Sequence, residues 1–499
     1  YNNDGQETIY TITPGYYLVA LDATTGREIE SFGDKGWIDL QQGLRLGPGR
    51  DDIDIGMSFM PMAIDGVVIT GAAHLVGMRP SSASNVKGDI RGFDATTGDL
   101  LWTFKTIPEP GEPGYESWLA GAEFTGVWAP MSADEELGVV YLPVESATGD
   151  RYGGDRPGSN LFASSTVALD YKTGKMRWHF QTTHHDIWDW DTPSAPILAT
   201  LPSGKRALIQ TLKQSHLFTF DPATGEPLFP IEERSVPQTD VPGEWTSLTQ
   251  PFPTKPAPYD RQGFQEDDLV DFTPEILAMA KEAAARFRFS ESVFTPASLF
   301  EDPEDGTQGT LHLPSSTGGS NWEGAAYDPE TGLLYVPSRT ATSVLSLTHE
   351  PNVSSVEYIQ GGSRTPSVQG IPLVKPPYGR ITAIDMTTGE HVWQVVNGDT
   401  PEEIKNHPLL KGVDIGRTGK PTRSGLVLTK SLLFAGEGVG GDPVLWAFDK
   451  ATGEVAAKIG MPGVVTGVPM TYMYQGKQYL VMAISSRGDA ARIIALTLP

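Results

Sequence analysis

The sequence predicts an all-β protein, a β-propeller assembled from four-stranded sheets, or blades. An apolar residue followed by Asp, two variable residues and Thr-Gly recurs along the chain. Asp closes an Asx-type turn and Gly tolerates a positive φ, so each copy predicts a hairpin between two apolar strands. The copies lie about 50 to 75 residues apart, with one gap near 107, which suits blades that carry insertions. Seven copies occur, at residues 21–26, 93–98, 169–174, 220–225, 327–332, 384–389 and 448–453.

Three of these copies are followed by a tryptophan in the same register: Trp102, Trp178 and Trp393. A side chain that recurs with the repeat is expected to serve the repeat, so we predict that these rings are structural wedges between neighbouring sheets. Trp128 lies outside this register. It is therefore a candidate for a functional role.

Composition agrees with a single large β domain. The chain has 55 Gly and 40 Pro among 499 residues and is 39% hydrophobic, which allows many turns and a sizeable core. Because the repeats run from end to end, we expect one propeller domain over residues 1–499. Residues 230–311 depart from the repeat and contain a helix start at Thr273, Pro274 and Glu275. We expect an insertion between blades with one helix, which either covers a pocket mouth or packs against the propeller side.

Charge and cysteine content exclude several classes of function. A net charge of −25 argues against nucleic-acid binding, which needs concentrated Lys and Arg, and suits a salty or extracytoplasmic setting. The absence of Cys excludes disulfides, thiolate chemistry and covalently attached haem, so redox chemistry requires a bound cofactor. No run of 18 apolar residues predicts a transmembrane segment. No signal peptide is recognisable and the chain opens in the middle of a pattern, so we expect a processed or incomplete N-terminus.

The densest group of chemically active residues is His-His-Asp-Ile-Trp-Asp-Trp-Asp at 184–191. Three carboxylates among indoles and imidazoles are expected to have shifted pKa values or to share a cation. This segment is therefore a candidate reaction centre. Within it, Asp186, His184 and His185 are expected to orient the other acids, and Trp188 and Trp190 to form dry walls.

Several strings together resemble the pyrroloquinoline-quinone (PQQ)-dependent dehydrogenases, and the glucose and quinate dehydrogenase branch in particular. They are Trp-His-Phe-Gln at 178–181 leading into 184–189, Tyr-Gly-Gly-Asp-Arg-Pro-Gly at 152–158, Val-Trp-Ala-Pro at 127–130, Pro-Phe-Pro-Thr-Lys-Pro at 251–256, and Gly-Val-Pro-Met-Thr-Tyr at 467–472. The resemblance implies an eight-bladed propeller with the quinone near its axis. About six blades are countable here, so either the N-terminal blades of the family are lacking from this chain or another segment completes the ring.

The resemblance also implies roles for three residues. Asp189 matches the catalytic Asp, which takes the proton of the substrate hydroxyl as hydride moves to the quinone. Lys213 matches the residue that hydrogen-bonds the quinone oxygens and stabilises their negative charge. Trp128 matches the tryptophan on which the planar cofactor stacks. Each residue has an alternative structural role. Asp189 would form an Asx turn or a buried ion pair, Lys213 would be solvated on a strand, and Trp128 would be a structural ring.

A metal site follows from the same resemblance, with Ca²⁺ as first choice and a lanthanide or Mg²⁺ as alternatives. Glu145 and Asp189 are the expected ligands, and Asp191 matches the extra ligand of lanthanide-dependent methanol dehydrogenases. His74 stands where relatives supply a further Glu, and as a softer donor it departs from the usual Ca²⁺ shell. Residues 337–340, Pro-Ser-Arg-Thr, stand where many relatives have an Asn-containing loop over the quinone.

The sequence thus predicts a periplasmic or extracytoplasmic quinoprotein dehydrogenase that oxidises an alcohol, sugar or polyol. Without a haem-attachment motif, its electrons must pass to a separate cytochrome c or quinone. Two alternatives remain. One is a non-catalytic scaffold that keeps the repeats alone, and the other is a degenerate enzyme that lost its metal shell through His74.

Overall fold

The computed structural model describes residues 1–499 except 4, 48, 50–52, 58, 75–76, 120–123, 487, 489 and 499. Its architecture is a series of antiparallel sheets that follow one another along the chain. Sheets 1 to 3 are formed by Asn2–Asn3, Gln6–Ile12, Tyr17–Asp22 and Trp37–Asp39; by Met62–Ile64, Val67–Thr70, Ile90–Asp94 and Leu100–Phe104; and by Ser132–Asp134, Val139–Val144, Ser165–Asp170 and Met176–Gln181.

Four further sheets continue the series. Sheet 4 contains Ile197–Thr200, Arg206–Thr211 and Leu217–Phe220, and sheet 5 contains Ala326–Asp328, Leu333–Arg339, Gly379–Asp385 and Glu390–Val396. Sheet 6 contains Leu426–Leu428, Leu432–Gly436, Val444–Asp449 and Val455–Gly460, and sheet 7 contains Val464–Val465, Met470–Tyr474, Lys477–Ser485 and Arg492–Thr497. Each consecutive pair of sheets encloses an apolar cluster, so the sheets pack face to face as propeller blades do. The predicted all-β propeller is confirmed.

The repeated turns have the predicted chemistry. In every copy the Asp side chain accepts a backbone N–H from the turn, and the closing Gly has φ between 67° and 79°. Most copies precede the last strand of a sheet, but the copy at 327–332 joins the first two strands of sheet 5, which also contains the copy at 384–389. The seven copies therefore lie on six sheets, and sheet 7 has none.

The tryptophans that follow the turns are wedges, as predicted. The Trp102 ring packs on Gly174 of the next sheet, and the Trp178 ring packs on Gly225 in the same way. Each indole N–H donates to a carbonyl of the neighbouring turn, Trp102 to Tyr171 at 3.0 Å and Trp178 to Pro222 at 3.0 Å. Each of these tryptophan side chains thus fixes the spacing of two sheets, and its indole N–H has a hydrogen-bond partner.

The insertion at 230–311 contains the predicted helix, Pro274–Ala284, whose N-cap Thr273 accepts the N–H of Ile276 at 3.2 Å. Its buried face joins a cluster with residues from 368–378 and 404–410, so the helix packs on a second excursion, which leaves sheet 5, and on the connection from sheet 5 to sheet 6. The remaining elements belong to these and other connections: strands Ile55–Gly56, Ala73–His74, Ile231–Ser235, Thr249–Pro253, Ser298–Leu299, Thr310–His312, Ser343–Thr348, Ile359–Gln360, Ser367–Val368 and Ile371–Pro372, helix Glu402–Lys405, and 3-10 turns Tyr115–Ser117, Glu266–Asp268 and Pro408–Leu410.

No helix among the described residues is long and apolar enough to cross a membrane.

Candidate active site

The segment 184–191 follows the last strand of sheet 3 and divides its side chains between two surroundings. Trp188 and Trp190 are fully buried in an apolar cluster, and their indoles donate to the carbonyls of Thr295 at 2.9 Å and Val293 at 3.3 Å. Asp189 and Asp191 instead line a cavity. The insertion thus supplies the wall behind the two tryptophans, and none of its described residues lines the cavity.

The cavity has a volume of about 320 Å³ and collects residues from distant parts of the chain. All five predicted site residues line it, and so does His74. Five others were missed by sequence reasoning. The lining residues are Ala73, His74, Trp128, Glu145, Asp189, Asp191, Lys213, Thr317, Asn321, Trp322 and Arg423.

Lys213 links the two acids of the cavity. Its Nζ lies 2.6 Å from Asp189 Oδ1 and 2.6 Å from Asp191 Oδ2, and its side chain is only 6% exposed. Although burial disfavours the ammonium, these two carboxylates outweigh it and raise the pKa of Lys213 above its ordinary value. Lys213 is therefore a fixed positive charge in the cavity wall.

Asp191 is held by three donors. Ser146 N–H donates to Oδ1 at 2.7 Å, while Trp128 Nε1 at 3.1 Å and Lys213 reach Oδ2. Burial acts against ionisation, but Lys213 and Ser146 together hold the pKa of Asp191 below its usual range. Asp191 thus orients the Trp128 ring. Both of its oxygens have partners, as both oxygens of Asp189 do, and its role as a metal ligand stays a prediction.

Asp189 differs from Asp191 in its electrostatic surroundings. Burial raises the pKa of Asp189 well above its ordinary value, and the charges of Asp191 and Asp150 add to this effect although Lys213 and Arg151 oppose it. Its backbone has φ 62°, and Arg151 NH2 lies 3.4 Å from Oδ2. With 17% of its side chain exposed, this carboxylate is fixed in direction and open to the cavity.

Glu145 contributes a carboxylate oxygen to the cavity that is buried. This atom, Oε1, forms no hydrogen bond with any of the described residues. Burial raises the pKa of Glu145 well above its ordinary value, and the nearby charges of Asp191 and Asp150 add to this effect. An orphaned oxygen of this kind fits a cation ligand. Among the described residues, no group of three or more His, Asp or Glu side chains is placed to hold a metal ion by itself.

The histidines and Asp186 support the site from outside the cavity. His185 Nδ1 lies 2.8 Å from the Gly158 carbonyl, and its Nε2 lies 3.1 Å from Oε1 of the buried Glu244. Asp186 accepts hydrogen bonds from Ser164 Oγ at 2.6 Å and Trp188 N–H at 2.9 Å. These contacts fix the backbone of 184–191.

A loop at 315–321 brings two of the missed residues into the cavity. Asn321 is 6% exposed, donates to the Thr317 carbonyl at 2.8 Å and accepts the N–H of Trp322 at 2.8 Å. Residues 337–340, where the sequence interpretation noted a departure from the Asn-containing loop of relatives, end strand Leu333–Arg339 and do not line the cavity, and that interpretation did not point to the loop at 315–321. The Gly-Gly pair just before Asn321 is the signal that could have identified it.

Comparisons with known proteins agree with this geometry. Residues 1–480 match the model of the glucose, ethanol and alcohol dehydrogenase β-propeller domain, PQQ. The chain is 30% identical to quinate/shikimate dehydrogenase (quinone) of Acinetobacter baylyi, over 97% of this chain and 61% of that protein. It is 32% identical to the glycerol dehydrogenase large subunit of Gluconobacter oxydans, over 93% of this chain and 65% of that protein. The chain thus spans less than two thirds of the length of these relatives.

Two solved structures share the fold. The quinohemoprotein alcohol dehydrogenase of Comamonas testosteroni has a TM-score of 0.65 at 21% identity, covering 96% of this chain and 61% of that one. A europium-containing methanol dehydrogenase has a TM-score of 0.62 at 20% identity, covering 97% of this chain and 72% of that one. At these identities the structures support the fold alone. With the family model matched over residues 1–480, the chain belongs to the PQQ-dependent glucose, ethanol and alcohol dehydrogenase family.

Proposed function

We propose that the protein oxidises a hydroxyl group of an alcohol, sugar or polyol, with PQQ bound in the 320 Å³ cavity. The observation that supports this is the convergence of Asp189, Lys213 and Trp128, from three separate segments, on that cavity. Relatives named for quinate or shikimate, glycerol and glucose are all dehydrogenases of hydroxyl compounds. A scaffold propeller has no need of a buried Lys between two carboxylates, because such an arrangement costs desolvation free energy.

The residues around the cavity fit a flat, acidic quinone. Trp128 offers an aromatic ring held in place by Asp191, and Lys213 and Asn321 carry N–H groups suited to quinone oxygens. When bound, PQQ accepts hydride from the substrate carbon. The fit therefore rests on the chemistry of the donor set as well as on family membership.

In this proposal Asp189 removes the proton of the substrate hydroxyl. Lys213 and Arg151 each approach one of its oxygens, at 2.6 Å and 3.4 Å, so the carboxylate has a fixed direction before substrate enters. Such preorganisation avoids a reorientation cost during the reaction. The proton is held on Asp189 while Lys213 remains charged beside it.

Glu145 and Asp189 are the residues proposed to hold a Ca²⁺ ion, with a lanthanide or Mg²⁺ as alternatives. The orphaned Oε1 of Glu145 supports this choice, and Asp191, whose oxygens contact Lys213, Trp128 and Ser146, is the proposed extra ligand for a lanthanide. Ca²⁺ takes six to eight oxygen ligands, so two carboxylates leave most of the shell to cofactor and water. His74 lines the same cavity but is the softer donor.

The proposed setting is periplasmic or extracytoplasmic, with electrons passed to a separate cytochrome c or quinone. The acidic chain, with net charge −25, suits a basic acceptor.

The test is dye reduction by purified protein supplied with PQQ and with Ca²⁺, Mg²⁺ or a lanthanide, using glucose, glycerol, quinate and ethanol. We expect turnover with at least one substrate and a loss of at least a thousandfold in kcat for Asp189→Asn, with PQQ affinity retained. PQQ binding without turnover would indicate the degenerate enzyme. No binding of PQQ to the wild type would exclude the enzyme and favour the scaffold.

The metal assignment has its own test. Glu145→Gln keeps the size of the side chain but removes its charge, so we expect a tenfold or greater rise in the Ca²⁺ concentration needed for half-maximal activity after chelation. Glu136→Gln, at a position whose side chain is 85% exposed, is the matched control. Equal Ca²⁺ requirements in the wild type and Glu145→Gln would exclude Glu145 as a ligand.

A further inference from the structure

Arg423 is a cavity residue that the proposed reaction does not use. It lies just before strand Leu426–Leu428 of sheet 6 and lines the cavity that contains Asp189 and Lys213. It also lines a small adjoining cleft with Ser320, Glu323 and Ser338. Its side chain is 34% exposed, so it is accessible to a molecule in the cavity.

The charge of Arg423 is only weakly compensated. Its closest acidic contact is from Nε to Glu323 Oε1, at 3.4 Å, and its guanidinium makes no hydrogen bond to any of the described residues. Lys213, the other cation lining the cavity, is matched by two carboxylates at 2.6 Å. The charge of Lys213 is therefore neutralised by its neighbours, whereas the guanidinium of Arg423 can still accept an anionic partner.

A second arginine, Arg339, adds positive charge next to Arg423. Arg339 donates through Nε to the Gly318 carbonyl at 3.1 Å and is largely buried. Burial, together with the charge of Arg423, lowers the pKa of Arg339 to about 10, so it remains a cation at neutral pH. Both arginines act on Glu323, whose side chain is 7% exposed. Two cations facing one carboxylate leave a net positive charge at this wall.

We propose that Arg423 recognises a carboxylate in the cavity, which makes hydroxy acids the preferred substrate class. A guanidinium with free N–H groups binds a carboxylate through two parallel hydrogen bonds, a geometry that lysine cannot reproduce. A neutral alcohol or sugar leaves this charge without a partner. The inference rests on the proposed function for the chemistry of the hydroxyl group. Because PQQ itself carries carboxylates, the experiment separates substrate from cofactor as the source of the anion.

The substrate arm compares acids with neutral counterparts: quinate with its methyl ester, and glycerate with glycerol. In Arg423→Gln we expect KM for the acids to rise about 10- to 100-fold, with KM for the neutral partners within twofold, because a charge-assisted pair is lost. Arg423→Lys should recover part of the affinity. Arg234→Gln, which changes a half-exposed arginine paired with Glu232, is the control and should leave all KM values unchanged.

The cofactor arm titrates PQQ into the protein without substrate and follows quenching of tryptophan fluorescence. If Arg423→Gln weakens PQQ binding tenfold and leaves the ratio of acid to neutral KM unchanged, the recognised carboxylate belongs to the cofactor. If neither PQQ affinity nor that ratio changes, the proposal is wrong. Thermal melting checks folding, and Glu323→Gln combined with Arg423→Gln avoids leaving the acid unpaired.

The two proposals fail in different ways. Turnover of neutral alcohols with no preference for acids, and with PQQ affinity independent of Arg423, overturns this inference and leaves the proposed function standing. If the wild type turns over nothing, calorimetry with quinate decides the inference. Binding that is lost in Arg423→Gln supports it, and no binding to the wild type overturns it.

Discussion

A single ammonium group determines how the two acids of the cavity coexist. Asp189 and Asp191 are two residues apart and face the same space, where two carboxylates without a counter-charge would repel each other. Lys213 lies 2.6 Å from each and is itself almost fully buried. The side chain predicted to contact the quinone is therefore also needed to hold the two carboxylates side by side.

Lys213→Met tests this double role. Removal of the ammonium takes away the positive charge that the two buried carboxylates share, so we expect the free energy of unfolding to fall by about 3–5 kcal/mol, as for other broken buried pairs. Urea denaturation at neutral pH measures it, and Asp191→Asn added to Lys213→Met should recover part of the loss. Lys405→Met, in an exposed pair with Glu402, should have little effect. An unchanged midpoint for Lys213→Met would mean that the acids do not depend on this charge.

At this scale the sequence predicted residues that belong to long motifs and missed those that do not. Asp189, Lys213 and Trp128 were identified through strings shared with a family. Asn321 and Arg423 come from loops without a repeating pattern, and their distance from Asp189 depends on how sheets 3, 5 and 6 are arranged in space. Proximity of that kind has no local signal, because it arises only when the sheets pack.

The individual turns, by contrast, are encoded locally. Asp supplies the acceptor and Gly the positive φ within six residues, so all seven turns could be predicted. The motif does not indicate which strands the turn joins. For this reason the copy at 327–332, which joins the first two strands of sheet 5, could not be distinguished from copies that precede the last strand of a sheet. Sheet 7 escaped detection because its hairpin uses Gln475, with φ 48°, and Gly476 instead. The blade count therefore stays a prediction.

The wedge between sheets 3 and 4 can be tested at a glycine. A Cβ at Gly225 would lie 2.6 Å from the Trp178 ring, whereas a Cβ at Gly204 would meet nothing within 4 Å. Both residues have positive φ, 75° and 82°. Gly204→Ala should cost about 1 kcal/mol for the backbone alone, and Gly225→Ala about 1–3 kcal/mol more because the wedge must shift.

Thermal or urea unfolding of the two variants gives the difference directly. Trp178→Phe combined with Gly225→Ala should reduce the extra cost, since the smaller ring leaves room for the added methyl group. Equal losses for Gly204→Ala and Gly225→Ala would show that the ring does not fix the spacing of the sheets.

For the molecule as a whole, segments outside the regular sheets support the residues of the site. The insertion at 230–311 is one of them, and the excursion from sheet 5 packs against its helix. Val293 and Thr295 accept hydrogen bonds from the tryptophans behind Asp189, and Glu244 contacts His185. Sequence analysis identified the insertion and its helix from local signals. The excursion at 343–378 was not identified, because it lies inside sheet 5 between two strands that pair with each other.

Acid stability of the whole fold should depend on histidines buried in neutral form. His216 is 3% exposed against Phe252, and burial, with a smaller contribution from the charge of Arg234, lowers its pKa to about 3. In the unfolded chain the imidazole titrates near pH 6.5. Between these two pKa values the unfolded state binds one more proton than the folded state. The stabilisation that comes from keeping His216 neutral is therefore complete above about pH 6.5 and declines as the pH falls towards 3.

His216→Gln should reduce the slope of unfolding free energy against pH by about 1.4 kcal/mol per unit between pH 6 and 4. Urea denaturation at several pH values measures this slope, which is independent of any constant destabilisation by the substitution. His349→Gln, at a side chain 49% exposed, is the control. A slope in His216→Gln equal to that of the wild type would show that this ring is protonated without unfolding.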